Sequence, residues 1–202
     1  TALIEQFIHI HLQAFKNLGA SKVAVRSSAI DEDSSDTSWA GQLETYLNTS
    51  RSQLLENIEA CRKSVNASRA RAYAKNKKPG PLAVIVQAMI KSEISGVAFS
   101  AHPVTKNKSQ IIIEAGRGLG DRLVGGEYTP DTWIVSKKTA KILEFQKGSQ
   151  SSRKPALLPR HVSEITKGIA RLEKILRYAV DIEWAIARGK LYWLQARPIT
   201  TL

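Results

Sequence analysis

The chain has 202 residues, of which 43% are hydrophobic and 24% are charged, and its formal net charge is +12. This length and composition fit one globular domain or two small lobes around a shared core. The apolar runs are far shorter than the roughly 20 residues that cross a bilayer, and no signal-peptide pattern opens the chain, so we expect a cytoplasmic protein without a membrane partner. A single cysteine, Cys61, excludes an intrachain disulfide and a cysteine-based metal cluster.

The first part of the chain, about residues 1–80, is predicted to be rich in helices. Apolar residues recur there at helical spacing, with Gly19 as a helix stop and a Lys-Lys-Pro-Gly-Pro break at the end. In chain order we predict a helix over 2–18, a strand over 22–26, a polar loop over 27–41, and helices over 52–65 and 67–77.

From about residue 81 to residue 202 the pattern becomes typical of strands. Short apolar runs alternate with glycine, proline and polar residues. We predict strands in LAVIVQAMI, GVAFS, QIIIEA, TWIVS and KILEF, then an exposed loop over 147–159, an amphipathic helix over 159–178, and a terminal hairpin of VDIEWAIA and KLYWLQA. The helix is expected to bury Val162, Ile165, Ile169, Leu172, Ile175 and Leu176.

The excess of basic residues favours an anionic partner, such as nucleic acid, a membrane surface or a phosphate-bearing small molecule. Many of these residues lie in 62–78 and 137–154, without a regular interleaving of aromatic side chains for base stacking. We therefore interpret them as a solvated basic face and expect no nucleic-acid partner.

Two groups in the first part suit phosphate binding. Arg26, followed by Ser27 and Ser28, offers a guanidinium fork and two hydroxyls to phosphate oxygens. Gly41 lets a backbone approach a ligand closely, so that neighbouring N–H groups can donate to phosphate. Each also has a structural explanation: an arginine paired with nearby acids, and an ordinary turn.

Two further groups lie around the predicted strands. Gln87, Ala88 and Met89 end an apolar strand, where main-chain groups and a thioether could bracket a flat ring or simply belong to the core. The glycines of 114–126 lack the spacing of a dinucleotide-binding fingerprint and the βαβ unit that surrounds one. We exclude a Rossmann site and interpret this segment as a flexible glycine-rich turn.

The terminal hairpin carries the most informative polar residues. Alternation places Asp181 and Glu183 on one face of the first strand, and Gln195 and Arg197 on one face of the second. If the two faces coincide, two carboxylates, an amide and a guanidinium converge, and such oxygen ligands suit Mg²⁺ beside phosphates. A surface ion-pair patch is the alternative.

Several segments, taken together and in order, resemble the nucleotide-binding domain of the phosphoenolpyruvate synthase and pyruvate phosphate dikinase family, which the rifampin phosphotransferases share. They are VAVRSSAIDEDSSDTSWAGQLETYLN, LAVIVQAMI, SGVAFSAHPVT, GLGDRLVGGEYTPD and DIEWAIARGKLYWLQARPIT. The resemblance covers roughly residues 23–200. It implies an α+β ATP-grasp fold of two lobes with mostly antiparallel sheets, which hold the nucleotide between them.

The resemblance also implies roles in binding ATP. Arg26 matches an arginine that contacts the ATP phosphates, and Gly41 and Thr45 match the loop that covers them. Gln87 to Met89 match the strand at which adenine docks.

In the hairpin the resemblance implies a magnesium site. Glu183 and Gln195 match the pair that coordinates Mg²⁺, and Asp181 matches a less certain acidic neighbour. Arg197 matches the second phosphate-contacting arginine. Arginines and a carboxylate-held metal ion are what phosphoryl transfer requires, since it needs charge neutralisation and positioning.

The resemblance further implies partners outside these residues. Family members begin with a glycine-rich segment whose lysine reaches the phosphates, and we expect that segment to be missing here. They also carry a swivelling domain with a phosphorylated histidine and, in the synthases and dikinases, a barrel for pyruvate or phosphoenolpyruvate. None of the four histidines has the phosphocarrier context, so we expect structural or solvent-facing roles for His9, His11, His102 and His161.

The predicted function is therefore that of the ATP-binding part of a synthase or dikinase. Such an enzyme passes a phosphoryl group from ATP to a histidine on another domain and then to pyruvate. Two alternatives stay open: the same part of a rifampin phosphotransferase-type enzyme, and a non-catalytic nucleotide-binding module.

Overall fold

A computed structural model describes residues 2–29, 45–64, 82–149, 154–199 and 201–202. The chain divides into two compact units, Thr1–Met89 and Ile90–Leu202. Each unit combines helices with an antiparallel sheet, which is the α+β architecture that the sequence predicts for an ATP-grasp fold. Among the described helices, none has the length and apolar character needed to cross a membrane.

The first unit is a three-stranded antiparallel sheet with helices on one side. Its sheet has the order β2-β1-β3. Its elements are α1 (Ala2–Asn17), β1 (Val23–Ala29), β2 (Thr45–Thr49), a 3₁₀ turn (Arg51–Gln53), α2 (Leu54–Ser64) and β3 (Leu82–Ala88).

Alternation along β1 and helical spacing along α2 build the core of this unit. Val23 and Val25 are fully buried, and α2 presents Leu54, Ile58 and Cys61 at the i, i+4, i+7 positions of one helical stripe. The Cys61 thiol also donates to the Val25 carbonyl across 3.6 Å. The cysteine therefore fills a packing position.

The predicted loop beginning at residue 27 is wrong for its first three residues. Ser27, Ser28 and Ala29 continue β1, because each has a partner on β3, with Ser27 opposite Val84. Pairing with a neighbouring strand outweighs their polar composition. Gly41 and the predicted helix over 67–77 lie outside the described residues.

The second unit is a six-stranded antiparallel sheet of order β7-β6-β5-β4-β8-β9. Its strands are β4 (Ile94–Phe99), β5 (Gln110–Arg117), β6 (Asp131–Ser136), β7 (Ile142–Gln146), β8 (Val180–Ala187) and β9 (Lys190–Pro198). Its helices are the single turn α3 (Asp121–Val124) and the long α4 (Pro159–Leu176).

Helix α4 covers one face of this sheet. Its buried residues Val162, Ile165 and Ile169 join the same core as Ile182 and Trp184 of β8. Alternation on the strands supplies the other half of that core. Ile175, predicted to be buried, is instead 61% exposed because it lies beside the stripe that faces the sheet.

Gly96 lets the centre of this sheet close tightly. A Cβ on Gly96 would lie 1.9 Å from the Glu114 carbonyl oxygen and 2.5 Å from the Trp184 ring. No side chain fits there, so the indole of Trp184 packs directly over the β4 backbone.

Two segments predicted as a turn and an exposed loop contain regular structure or buried residues among their described residues. The glycine-rich segment 114–126 begins as the end of β5 and contains α3. In the segment 147–159, Ala156 and Leu157 are buried. The buried carboxylate of Asp131 accepts from the Gly148 and Ala156 amides, both at 2.7 Å, and so ties this segment to β6.

The terminal hairpin has a tight turn and a bulge. Arg188 and Gly189 both have positive φ, 51° and 72°, as a two-residue hairpin turn of the primed type requires. Trp184 pairs with Trp193, but Glu183 pairs with Gln195, so Leu194 is an extra residue in β9. From Gln195 onward, the side chains of β9 lie on the opposite faces from those that a regular ladder without the bulge would give them.

Candidate functional site

In the first unit, three predicted ATP-binding residues share the sheet face opposite the core. Arg26 pairs with Thr45 on β2 and with Ile85 on β3, and directly opposite residues point to the same face. Gln87 pairs with Ala24, two residues before Arg26 on β1, and therefore lies on that face as well. Arg26 and Gln87 are half-buried, and Thr45 is exposed.

The two residues after Gln87 differ in how they meet the sheet. Ala88 pairs with Val23, so its side chain lies on the core side. The Met89 amide donates to the Lys22 carbonyl across 3.0 Å, which extends the ladder one residue beyond β3. At Ala88 the backbone is therefore the part available to a ligand on the Gln87 face.

In the second unit, the four polar hairpin residues lie on one face. Asp181 is directly opposite Arg197, and Glu183 is directly opposite Gln195. These are neighbouring same-face pairs, about 7 Å apart along the strands. This is the face opposite α4, because the alternate residues Ile182 and Trp184 enter the helix-covered core.

The Asp181–Arg197 pair is a buried ion pair. The Arg197 Nε–H donates to Asp181 Oδ2 across 2.8 Å, and Asp181 is 8% exposed. Burial raises the pKa of the Asp181 carboxyl, and the charge and hydrogen bond of Arg197 act against that rise. Within the described residues, Asp181 Oδ1 is buried without a hydrogen-bond partner.

Glu183 and Gln195 form the second pair. Both are half-buried, and directly opposite side chains have Cβ atoms about 5 Å apart. A carboxylate and an amide at this separation can supply two oxygen ligands to Mg²⁺, which takes its remaining ligands from water and phosphates. The described residues contain no group of three or more histidine, cysteine or acidic side chains arranged for a metal ion. The donor set thus fits a metal ion that arrives with a polyphosphate.

Glu114 is a polar residue of this face that the sequence reasoning did not select. Val97 on β4 pairs with Glu114 on one side and with Glu183 on the other, so all three share the face. Burial raises the pKa of the Glu114 carboxyl, and the negative charge of Asp181 adds to the rise. Its signal in the sequence is a lone acidic residue at the end of the apolar run Ile111–Ile113.

The histidines of the second unit have local structural roles. His102 Nδ1 accepts from the backbone amides of Val104 and Thr105, each at 3.3 Å. His161 is 9% exposed at the start of α4, and its Nδ1 accepts from the Leu158 amide. Both contacts satisfy backbone donors of a turn or a helix start.

The sequence matches a family model described as the pyruvate phosphate dikinase AMP/ATP-binding domain over residues 2–202. A probable phosphoenolpyruvate synthase of Methanocaldococcus jannaschii is 36% identical over 89% of this chain and 17% of its own length. The phosphoenolpyruvate synthase of Pyrococcus furiosus is 37% identical over 89% of this chain and 26% of its own length. A prodigiosin synthesizing transferase of Serratia marcescens is 31% identical over 93% of this chain and 24% of its own length.

Among solved structures, the D-alanyl-alanine synthetase A of Vibrio cholerae is similar with a TM-score of 0.47 and 14% sequence identity. The similar region covers 96% of this chain and 46% of that one. The chain spans about a sixth to a quarter of the length of the three curated relatives named above. Because the family model matches from residue 2 to the end, the chain belongs to the family of pyruvate phosphate dikinase AMP/ATP-binding domains.

Proposed function

We propose that this chain holds MgATP for a phosphoenolpyruvate synthase or pyruvate phosphate dikinase-type enzyme. In that enzyme a phosphoryl group passes from ATP to a histidine on a separate swivelling domain, and then to pyruvate. The observation that carries the proposal is the register of the terminal hairpin, which brings a carboxylate, an amide and a carboxylate-paired guanidinium to one face. Membership of an AMP/ATP-binding family supports it.

Residues of the second unit hold the charged end of the ligand. Glu183 and Gln195 are the proposed ligands of Mg²⁺, and Arg197 binds a phosphate oxygen. Asp181 already uses one carboxylate oxygen for Arg197. A magnesium ion supplies charge neutralisation on the phosphates, which phosphoryl transfer requires.

Residues of the first unit bind the rest of the nucleotide. Arg26 contacts the phosphates, with Thr45 beside it and Gly41 in the covering loop. Gln87, Ala88 and Met89 provide the side-chain and main-chain groups that bracket the adenine ring. The shared face of Arg26, Thr45 and Gln87 supports this division of roles.

Pyruvate is proposed as the final acceptor because phosphoenolpyruvate synthases are among the relatives at about 36% identity. The swivelling domain and the pyruvate-binding domain are the proposed partners of this chain. The chain alone is therefore expected to yield no phosphoenolpyruvate from MgATP and pyruvate.

The experiment that tests the magnesium site is a thermal-shift measurement on Glu183→Gln. This change is nearly isosteric, so the melting temperature without nucleotide should stay close to that of the wild type. The rise in melting temperature that MgATP produces in the wild type should largely disappear, since ligand binding stabilises only the native state. Glu164→Gln, on the exposed face of α4, is the matched control and should respond like the wild type.

Two results would contradict the proposal. A wild-type chain that shows no MgATP-dependent shift would rule out nucleotide binding by these residues alone. A Glu183→Gln variant that melts lower without nucleotide but keeps the full MgATP shift would identify Glu183 as a structural ion-pair partner.

A further inference from the structure

The outward side of α4 carries a line of charged residues. Arg160, Glu164, Lys167, Arg171 and Lys174 recur at intervals of four and three residues, so they lie in single file on one side of the helix. All five side chains are exposed. The last three follow one another without an acid in the file, and we call Lys167, Arg171 and Lys174 the basic row.

No acidic side chain within the described ranges forms an ion pair with the basic row. Like charges three or four residues apart on a helix repel one another and destabilise it. Lys174 lies in the last turn, where a cation gains from the helix dipole. Lys167 and Arg171 lie beyond the reach of that effect. The row therefore costs the helix stability that a negatively charged neighbour would restore.

The basic row and the candidate site lie on opposite sides of the sheet. The inward stripe of α4, with Val162, Ile165 and Ile169, packs on the sheet face that carries Ile182 and Trp184. The polar residues of the terminal hairpin lie on the other face. A partner bound at the basic row therefore leaves the face of the candidate site uncovered.

Exposed apolar side chains lie at the C-terminal end of the row. Ile175 follows Lys174 directly, four residues after Arg171, and is 61% exposed. Tyr178, just beyond the helix end, is 41% exposed. Apolar and aromatic side chains beside arginine are typical of the surfaces at which proteins bind one another. This composition favours a protein partner over simple counterions.

The spacing of the basic row favours a helical partner. Residues at intervals of four and three advance about 5 Å per step along a helix, because each residue rises about 1.5 Å. Same-face residues of an extended strand advance about 7 Å per step, so its acids fall about 3 Å out of step between Lys167 and Lys174. A second helix with acids at the same intervals stays in step with the row.

We propose that the basic row, with Ile175 beside it, is a docking surface for an acidic helix of a protein partner. The carboxylates of that helix recur at intervals of four and three residues and face Lys167, Arg171 and Lys174. An apolar side chain of the partner packs on Ile175. Nothing in this contact uses a nucleotide, so the proposal is independent of MgATP binding.

The first arm of the test compares two fluorescent peptides on the wild-type chain by anisotropy, without nucleotide. Both are alanine-based helical peptides of about 18 residues with a leucine near each end. One carries glutamates at intervals of four and three residues, and its isomer carries the same glutamates spread around the helix. The first should bind at least about tenfold more tightly, because only it presents its charges on one face. Equal affinities, or no binding of either peptide, would overturn the proposal.

The second arm changes the central charge of the row. Arg171→Glu should weaken binding of the first peptide at least about tenfold. It should not lower the melting temperature, because it removes two like-charge contacts along the helix. Arg51→Glu, at the exposed start of the 3₁₀ turn, makes the same change in net charge and should bind like the wild type. An equal loss in both variants would indicate a general charge effect and contradict the proposal.

The third arm keeps every charge and removes the apolar contact. Ile175→Ala should weaken binding of the first peptide about threefold, since less apolar surface is buried. This exposed substitution also serves if Arg171→Glu does not fold. An affinity equal to that of the wild type would place the peptide elsewhere on the chain and overturn the proposal.

The last arm tests the two other classes of anionic partner. A single-stranded oligouridylate and vesicles that contain phosphatidylserine are measured with the same variants at the same salt concentration, since salt screens all three interactions. Each should bind the wild type more weakly than the first peptide does. Tighter binding of either, lost in Arg171→Glu, would assign the row to nucleic acid or to a membrane surface and overturn the proposal.

Discussion

The two units place their candidate residues in the same way on a sheet face, but the two faces carry different kinds of side chain. Each presents its candidate residues on one face of an antiparallel sheet and buries the other face against helices. Along the described strands of the first unit, that face carries one charged side chain, Arg26, beside a hydroxyl and an amide. Along the described strands of the second unit it carries four carboxylates, those of Asp181, Glu183, Glu114 and Glu144, together with the cations of Arg197 and Lys190. The first face suits the ring of a nucleotide with one phosphate contact at Arg26, whereas the second face suits a metal ion and phosphates.

The two arginines show the difference most clearly. Arg26 is flanked by Thr45 and Ile85, neither of which is charged. Arg197 is opposite Asp181 and bonded to it. Removing Arg197 therefore leaves a buried carboxylate without this hydrogen bond. The two units are therefore expected to differ in how much stability a substitution costs, and this difference need not match the loss of ATP affinity.

The largest expected effect is the loss of stability in Arg197→Ala. Removing this guanidinium leaves the Asp181 carboxylate buried and uncompensated, which costs about 3–5 kcal/mol. Arg26→Ala should cost about 1 kcal/mol, a typical value for a point mutation. Chemical denaturation followed by circular dichroism, which reports on helices and strands of both units, measures the two losses. Arg171→Ala, on the exposed side of α4, is the control. Equal losses in the two units would break the comparison.

The next effect compares two glycines. Gly96→Ala places a Cβ against the Glu114 backbone and the Trp184 ring, and this overpacking of the second unit should cost about 3 kcal/mol. Gly19 in the first unit has open space around it but a φ of +61°, so Gly19→Ala should cost only about 1–2 kcal/mol. Thermal unfolding of both variants checks the order, and the reverse order would contradict the tight contact at Gly96.

Nucleotide affinity should not follow the order of stability. If both arginines contact phosphate, Arg26→Ala and Arg197→Ala should each lose about 1.5–3 kcal/mol of ATP binding, or roughly one to two decades. Calorimetry below the melting temperature of either variant gives the two affinities. Unchanged affinity in both folded variants would refute the phosphate role of both residues.

The smallest effect is a pH dependence of the second unit. Because the pKa of Glu114 is raised by burial and by Asp181, the folded chain holds this proton more tightly than the unfolded chain. Stability contributed by the protonated form is therefore lost as pH rises from the ordinary carboxyl pKa through the raised one. Glu114→Gln avoids that loss, so it should be more stable than the wild type at pH 7 and no more stable at pH 4. Melting curves over this range test it.

The control for the pH effect lies in the first unit. Glu59→Gln removes an exposed carboxylate from α2. Its stability difference from the wild type should stay level across the same pH range. A pH-dependent gain of equal size there would show that the effect comes from net charge and not from the Glu114 environment.

The sequence predicts the elements well where periodicity alone decides them. The stripe of α4, apart from Ile175, and the alternation of β8 follow from spacing, and all the predicted strands of the second part form. Spacing does not show which neighbouring strand or side chain each segment will contact. Ser27–Ala29 become strand because β3 pairs with them, and Leu157 is buried because Asp131 anchors its segment.

The candidate site depends on register in the same way. Alternation placed Asp181 with Glu183 and Gln195 with Arg197, but only the bulge at Leu194 makes the two faces coincide. Glu114 lies two strands away from Glu183 in the sheet and far from it in sequence, so no local pattern could associate them. The remaining prediction, Gly41, lies outside the described residues.

The bulge at Leu194 has a consequence for anyone who transplants this hairpin into another scaffold. A regular ladder running back from the Arg188–Gly189 turn would set Leu194 opposite Glu183 and Ala196 opposite Asp181. Gln195 and Arg197 would then face the apolar side, and the transplanted acids would have only aliphatic neighbours. The extra residue shifts the alternation of β9 by one position. A design that keeps the polar residues but removes the bulge would therefore lose the pairing of Asp181 with Arg197 and of Glu183 with Gln195.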